Sequence, residues 1–361
     1  MRQIRTSMIV ALLTVAMLAA GCTVYSPIQR VYRLEQVQSE RVATSDGVQV
    51  ALTTYAPSGR SRGTALLLPD LFSTSLVFDL DAEHSLARHL VRRGWTVVTL
   101  DWRGCGRSDR PDWHNGEPYT WTVGQMLQYD LPAAVAHARA KGSGPLVVWA
   151  HGHAGVIALG ALELDPKLGV DAMVALGVPG RHYDYNLIQQ ALAAQADRLD
   201  PFNGVDCAAA AGLRAPFKGE TQSVADILLF NDELFQPQVK AEFVRSGFTV
   251  QSVLVADSVI RWWSKGELIV ELDQDALNVG ARLGEVSVPT YIAAGKLDNW
   301  VTPGESIALH DGLGSQQKLL RVFSQANGYR DNYGHMGLLL GPNARDEVWD
   351  AALRWLDELE L

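Results

Sequence analysis

Side chains that could carry out acid–base chemistry stand near the ends of three apolar stretches in this chain of 361 residues. His151 and His153 flank a glycine directly after one such stretch, and Asp298 and His335 follow two later ones. A histidine can take the proton of a nucleophile while a carboxylate fixes the histidine's tautomer. A fold that brings these loops together would form one acid–base site, positioned by the strands that precede them.

The stretch from Leu146 to Leu162 predicts a strand, a tight turn and a helix. Residues 146–150 form a short apolar run after Gly144-Pro145, which is typical of a buried parallel strand. From Ala154 onward the chain is rich in alanine, leucine and other small residues, which favours a helix packed on a sheet. The turn between them resembles the nucleophile elbow of α/β-hydrolases, where the nucleophile stands between small residues on a sharp strand-to-helix turn.

The spacing of small residues decides which residue of this turn takes the nucleophile's position. With Gly152 there, the residues two positions away are Ala150 and Ala154, which are both small. With His153 there, one of those positions is His151, which would crowd a turn where two backbones nearly touch. We therefore place Gly152 at the nucleophile position, and the resemblance then implies an elbow that lacks its reacting side chain.

Other loops carry the same resemblance along nearly the whole chain after its first segment. Asp46-Gly47 predicts a hairpin between two early strands, and residues 101–109 resemble the DxRGxGxS loop common in α/β-hydrolases. Residues 295–303 resemble the family's GxxDxxxP acid loop, and residues 333–337 resemble its GHxG histidine loop. The resemblance implies an α/β-hydrolase fold, with a mostly parallel eight-stranded sheet flanked by helices and a helical cap insertion.

Two stretches are most similar to polyhydroxyalkanoate synthases and related acyl hydrolases. They are residues 77–102 and the segment GHMGLLLG, residues 334–341, with the acid loop before it. Those synthases use a cysteine at the elbow, where this chain has Gly152. The family reaction implied is hydrolysis of esters or transfer of acyl groups.

The resemblance also implies roles for individual residues. His335 matches the catalytic base and Asp298 the acid that orients it, in the chain order of the family. The backbone N–H groups of His153 and Leu71 match the donors of the oxyanion hole. Asp70 is an unfavourable neighbour for a developing oxyanion, so we expect the half of the hole at Leu71 to be impaired.

Residues 1–21 are expected to be a bacterial lipoprotein signal peptide. Two arginines precede an apolar run, residues 8–20, that is too short to span a bilayer. The sequence LAAGC, ending at Cys22, resembles a lipobox, although Ala19 stands where leucine is commonest. An ordinary secretory peptide with an incidental cysteine is the alternative. The favoured interpretation is a protein anchored through acylated Cys22 to a membrane of the bacterial cell envelope, on its periplasmic or extracytoplasmic face.

The pattern of elements predicts five parts of the chain. These are the signal peptide (1–21), a tether and first strand (22–45), the first part of the hydrolase core (46–180), a helical cap (181–285) and the second part of the core (286–361). The strand–helix alternation stops in the cap, which is polar-rich and mostly helix-like. A cap there would shape an acyl pocket, and a peripheral helical subdomain is the alternative.

Composition excludes some classes of function and leaves others open. The net charge is −9, and an acidic chain is a poor match for nucleic acid. The sequence has no cluster with metal-ligand spacing and no phosphate loop, so we expect no metal and no cofactor. Cys105 and Cys207 are expected to be two buried thiols, although an oxidising compartment would allow them to pair. The oligomeric state is left open.

Three interpretations follow from the missing nucleophile, because covalent acyl transfer cannot follow the family route without it. In the first, the protein is a pseudoenzyme that binds an acyl-type ligand or a partner. In the second, it is an ester hydrolase in which His335 activates water, with His151 or His153 as further candidates, or which uses a nucleophile not yet identified. In the third, Gly152 is an engineered or erroneous residue in an ordinary esterase. The first is the favoured interpretation.

Overall fold

The computed structural model describes residues 37–111, 116–182, 186–194, 199–217, 220–230 and 235–361. The expected signal peptide, the lipidation site Cys22 and most of the expected tether lie outside these residues. No helix in the described part of the chain is both long enough and apolar enough to cross a membrane.

Eight strands form one mostly parallel central sheet, which confirms the predicted fold class. The strands are Val37–Ala43 (β1), Gln49–Tyr55 (β2), Gly63–Leu68 (β3), Trp95–Asp101 (β4), Leu146–His151 (β5), Ala172–Leu176 (β6), Thr290–Gly295 (β7) and Lys318–Phe323 (β8). Their order in the sheet is β1-β2-β4-β3-β5-β6-β7-β8. β1 and β2 form the hairpin predicted at Asp46-Gly47, and β2 pairs antiparallel with β4. All other neighbours in the sheet are parallel.

Helices cover both faces of this sheet and extend over one end of it. They are Leu86–Arg92 (α1), Leu131–Lys141 (α2), Ala154–Leu164 (α3), Leu187–Ala193 (α4), Cys207–Gly212 (α5), Pro237–Ser246 (α6), Val253–Lys265 (α7), Val279–Arg282 (α8), Pro303–Gly312 (α9), Gly337–Leu340 (α10) and Asp350–Glu358 (α11). A short helix, Val123–Gln125, and a π-helical segment, Met126–Asp130, lead into α2. Two further π-helical segments are Asp226–Phe230 and Arg345–Trp349, and the latter leads into α11.

The apolar core lies in two layers, one on each face of the sheet. Successive side chains of a strand point to opposite faces. In β5, Val148 and Ala150 belong to one layer, whereas Val147 and Trp149 belong to the other. Because β5 is buried on both faces, it has the continuous apolar sequence typical of a central parallel strand.

The predicted cap, residues 181–285, contains more strand than the sequence indicated. Helices α4 to α8 are joined by three two-stranded antiparallel ribbons. The ribbons pair Val205–Asp206 with Val250–Gln251, Arg214–Phe217 with Glu220–Ser223, and Ile269–Glu271 with Ala276–Asn278. Strands of two to four residues are too short to show an alternating pattern, which explains why the sequence favoured helix alone. The bounds of the cap remain a prediction.

Candidate functional site

Gly152 lies at the turn between β5 and α3 and has a backbone conformation that favours glycine. Its φ angle is +57°, in the left-handed region where a residue with a Cβ is strained. Its N–H donates to the carbonyl of Leu176 on the neighbouring strand β6 over 2.9 Å. At Gly155, an added Cβ would lie 2.4 Å from the methyl carbons of Val178, so this position must also be small. The turn thus has the local geometry of a nucleophile elbow.

Asp298 and His335 meet at the carboxyl ends of β7 and β8. The Nδ1 atom of His335 lies 2.8 Å from Oδ2 of Asp298. The other oxygen of Asp298 accepts the backbone N–H groups of Trp300 and Val301, which fixes the carboxylate. Both side chains are buried. An added Cβ on Gly177 would lie 3.1 Å from each of them, so the dyad also depends on a glycine at the end of β6.

The carboxylate of Asp70 fills the space that a side chain at position 152 would occupy. An ideal Cβ built on Gly152 would lie 2.5 Å from both Cγ and Oδ2 of Asp70. Such a distance is far shorter than van der Waals contact, so the two groups exclude each other. Asp70 is the second residue after β3, and its side chain reaches the end of the adjacent strand β5. The sequence pointed to Asp70 only as an unfavourable neighbour and did not predict this position.

Both predicted oxyanion donors bind this same carboxylate. Oδ1 of Asp70 accepts the backbone N–H of Leu71 over 2.7 Å and that of His153 over 3.0 Å. Oδ2 accepts the indole N–H of Trp300 over 2.8 Å and lies 3.4 Å from Nε2 of His335. The side chain of Asp70 therefore stands where a reacting carboxyl group would stand in a serine hydrolase.

The electrostatics of the site favour an ion pair between Asp70 and His335. Burial alone would raise the pKa of Asp70, but the His153 and His335 side chains lower it well below its usual value. Burial alone would lower the pKa of His335, but the carboxylates of Asp298 and Asp70 outweigh this effect. The net result is a pKa raised from 6.5 to about 9. Near neutral pH the site thus holds a charged imidazole between two carboxyl groups.

A second set of buried polar side chains, those of His153, His182 and Glu305, is joined by contacts next to the turn. Nε2 of His153 lies 3.2 Å from Nε2 of His182, and Nδ1 of His182 lies 2.8 Å from Glu305. These contacts fix the His153 side chain, whose own backbone N–H donates to Asp70. The sequence did not predict His182 or Glu305. The one available signal was the Thr-x-x-Glu capping box at the start of α9, which places Glu305 at a helix N-terminus.

His151 is buried against His335, with ring centroids 4.2 Å apart. Its Nε2 lies 3.3 Å from the backbone carbonyl of His335. Burial and the neighbouring charge of His335 lower the pKa of His151 to about 3, so this ring stays neutral. The sequence did not decide the roles of His151 and His153. The side chain of His151 packs against His335, and the backbone N–H of His153 donates to Asp70.

Asp70, His151 and His335 also offer three atoms that could ligate a metal ion, all within 4.8 Å of one another. Three N–H donors already point at the two oxygens of Asp70, however, and such donors repel a cation. A proton on His335 satisfies the same carboxylate without this conflict. The donor set thus suits an imidazolium beside Asp70 better than a metal ion.

A largely apolar cavity of about 130 Å³ opens from Asp70 and His335 towards the cap. Its walls are formed by residues of the loop after β3, by the cap and by the loops of the dyad: Phe72, Ser73, Leu192, Leu199, Val205, Cys207, Ala210, Ala211, Val224, Leu228, Leu229, Phe248, Ala256, Val259, Ile260, Trp263, Trp300 and Met336. Cys105 and Cys207 are both buried and free, and burial raises the pKa of Cys105 to about 12. Neither thiol is activated as a nucleophile.

Comparison with known proteins agrees with the observed fold. The family model described as serine aminopeptidase, S33, matches residues 81–327, which is more than half of the chain. No curated protein sequence matches the chain.

Several solved structures are similar over most of their length. An esterase from Exiguobacterium antarcticum has a TM-score of 0.62 at 15% identity, covering 89% of this chain and all of that one. An esterase from Thermogutta terrifontis has a TM-score of 0.57 at 15% identity, covering 90% and 100%. A putative lipase from Acinetobacter baumannii AYE has a TM-score of 0.59 at 17% identity, covering 97% and 96%. At these identities the likeness establishes the shared fold.

The ion pair predicts a dependence of stability on pH. A pKa raised from 6.5 to about 9 in the folded state stabilises the fold fully below pH 6.5, and this stabilisation is lost as the pH rises through 9. Relative to His335→Gln, the free energy of unfolding of the unmodified protein should fall by about 2–3 kcal/mol between pH 6.5 and 10. Urea unfolding at a series of pH values measures this difference. A difference that stays constant over that range would contradict the ion pair.

Proposed function

We propose that this protein, which belongs to the serine aminopeptidase S33 family of α/β-hydrolases, binds an apolar, acyl-type ligand without acyl transfer through the elbow. The matched family and the esterase and lipase neighbours support ester hydrolysis in general terms. The departure from that chemistry is local, because the fold, the acid loop and the histidine loop are all present. The proposed function therefore depends on which group occupies the space beside Gly152.

The observation that carries the proposal is the carboxylate of Asp70, which accepts the N–H groups of both predicted oxyanion donors, Leu71 and His153. Acyl transfer needs a nucleophile at the elbow and free N–H donors for the developing oxyanion. Here the nucleophile's space and both donors are taken by one side chain. A hydrogen bond to a charged group contributes about 1.5–3 kcal/mol, so an ester carbonyl would have to displace two such bonds.

The cavity supports an apolar ligand of modest size. Its walls are almost entirely carbon, and its polar end carries the anionic Asp70 beside His335. A cavity of about 150 Å³ lined by apolar side chains is large enough for benzene, and this cavity of about 130 Å³ is similar. The negative charge of Asp70 disfavours a ligand with a free carboxylate. An alcohol or other uncharged head group with a short alkyl chain fits this chemistry best.

We further propose that the protein is held at a membrane of the bacterial cell envelope through acylated Cys22. The lipobox-like sequence before Cys22 supports this anchor. Only residues 23–36 separate that cysteine from β1, so the domain would stay close to the membrane surface. A membrane would then be the nearest source of an apolar ligand.

Ester hydrolysis by water that His335 activates is the second candidate. The retained dyad favours it, because Asp298 holds His335 through Nδ1 and leaves Nε2 to other contacts, 3.4 Å from Oδ2 of Asp70. Residual catalysis without a nucleophile relies on the oxyanion hole. Since Asp70 occupies that hole, this candidate requires Asp70 to move away, and the binding function does not.

Ligand binding can be tested with 1-hexanol and hexanoate as paired probes. Isothermal titration calorimetry should detect binding of hexanol, with hexanoate at least about tenfold weaker because its charge faces Asp70. Ala256→Leu, which narrows the cavity, should weaken hexanol binding. Leu254→Phe on the same helix α7 is the matched control, because Leu254 is 39% exposed and does not line the cavity. Absence of hexanol binding, or equal loss in both variants, would contradict the proposed site.

The role of Asp70 can be tested by restoring a nucleophile. Gly152→Ser alone should lower the free energy of unfolding by about 1–3 kcal/mol from backbone strain, and its hydroxyl would still collide with Asp70. Combining Gly152→Ser with Asp70→Gly removes the collision and frees both N–H donors. We expect a fluorophosphonate probe to label this double variant but neither the unmodified protein nor Gly152→Ser. Adding His335→Ala to the double variant should abolish labelling. Labelling of the unmodified protein would show that another nucleophile is active.

A further inference from the structure

The two oxygens of Asp70 have different surroundings. Oδ1 is fixed by two backbone N–H groups, those of Leu71 and His153. Oδ2 instead lies among Trp300 and His335, which both line the apolar cavity. One oxygen is thus anchored, and the other is directed to the region where a bound ligand would lie.

An ester formed on Oδ2 would be held in a geometry suited to its own hydrolysis. Oδ1 would then be the carbonyl oxygen, already bonded to both donors at 2.7 and 3.0 Å. When water adds to Cγ, negative charge develops on Oδ1, where those donors stabilise it. The base needed to activate this water, His335, has its Nε2 3.4 Å from Oδ2.

From this geometry we infer that Asp70 is itself a nucleophile, and that the protein hydrolyses short primary alkyl halides through an alkyl ester of Asp70. The inference rests on the proposed binding of apolar ligands in the cavity. The reaction is displacement at an alkyl carbon, which needs no oxyanion hole in its first step. Occupation of that hole by Asp70, which obstructs acyl transfer, is therefore an advantage for this chemistry.

In the first step, Oδ2 of Asp70 forms a bond to the alkyl carbon while the carbon–halogen bond breaks. The bonding electrons leave with the halide ion, and Asp70 becomes a neutral ester. The indole N–H of Trp300, which binds Oδ2 at rest, is freed to donate to the halide. Trp263 packs edge-on against Trp300 with centroids 4.9 Å apart and also lines the cavity. Its indole N–H has no hydrogen-bond partner among the described residues.

In the second step, water adds to Cγ of the ester and one of its protons passes to Nε2 of His335. Alkylation removes the charge of Asp70 that helps to raise the pKa of His335, so the imidazolium releases its Nε2 proton to solvent before it acts as the base. The tetrahedral intermediate then collapses, the bond from Cγ to the alkyl oxygen breaks, and His335 returns the proton to that oxygen. The products are the alcohol and the carboxyl group of Asp70, whose proton passes to His335, so the resting ion pair is restored and one proton is released per turnover. Asp298 holds His335 in one orientation throughout.

The substrate class follows from the cavity. A volume of about 130 Å³ with apolar walls suits an alkyl chain of roughly four to six carbons. A primary carbon is the least hindered centre for displacement, which matters because Oδ2 of Asp70 has both Trp300 and His335 close to it. 1-Bromohexane is therefore a suitable probe.

The experiment is a single turnover of 1-bromohexane by an excess of the protein in water enriched in ¹⁸O. We expect bromide release, 1-hexanol carrying ordinary oxygen, and one ¹⁸O atom in the peptide that contains Asp70, detected by mass spectrometry. ¹⁸O in the hexanol and none in Asp70 would overturn the inference, because water would then attack the alkyl carbon directly. This measurement uses the unmodified protein and does not depend on any variant folding.

Variants sharpen the same test. Asp70→Asn should reduce bromide release at least about a thousandfold. His335→Gln should release bromide once and then accumulate a hexyl ester, seen as an increase in intact mass. Asp81→Asn, a surface carboxylate outside the site, is the control and should behave as the unmodified protein. If hexanol binds but neither bromide nor adduct is found, the nucleophile is refuted and ligand binding stands. If hexanol does not bind, the proposed function itself fails.

Discussion

One carboxylate oxygen, Oδ1 of Asp70, holds this site together by accepting two backbone N–H groups from different loops. The N–H of Leu71 comes from the end of β3 and that of His153 from the turn after β5. This pair of bonds draws the acidic side chain into the space beside Gly152. The charge placed there in turn stabilises the imidazolium of His335, which would otherwise be costly to bury.

The glycine at position 152 and the buried carboxylate of Asp70 depend on each other. A residue with a Cβ at 152 would collide with Asp70 and would also be strained at a φ of +57°. Without Asp70, the N–H donors of Leu71 and His153 would lose an acceptor that lies deep in the protein. The turn that we interpret as the family's elbow therefore has a carboxylate beside it instead of a nucleophile on it. This coupling links the missing side chain to the chemistry of the site.

Much of this architecture could be predicted from the sequence, because it depends on local patterns. Small residues around Gly152 indicated the register of the turn, and the loops after β7 and β8 pointed to Asp298 and His335. The position of Asp70 could not be predicted in this way. It depends on a side chain crossing from β3 to β5, on the absent Cβ of Gly152, and on the indole of Trp300, which is 230 residues away in the chain.

The contacts from His153 through His182 to Glu305 likewise could not be predicted from local sequence patterns. Its members come from the turn after β5, the start of the cap and α9, and each alone resembles an ordinary polar residue. Contacts that join such distant segments leave no periodic pattern in the sequence. The roles of the site residues, the anchor at Cys22 and the bounds of the cap remain predictions of the sequence for experiment to test.

The central claim, that Asp70 is ionised where it accepts the N–H groups of Leu71 and His153, can be measured directly by NMR. The ¹³Cγ signal of Asp70 and the amide signals of Leu71 and His153 would be followed together as the pH is lowered. The account predicts that all three signals shift with one common midpoint, well below the ordinary carboxyl value of 3.8. Amide signals that do not follow the Asp70 carboxyl group, or a midpoint at or above 3.8, would contradict it.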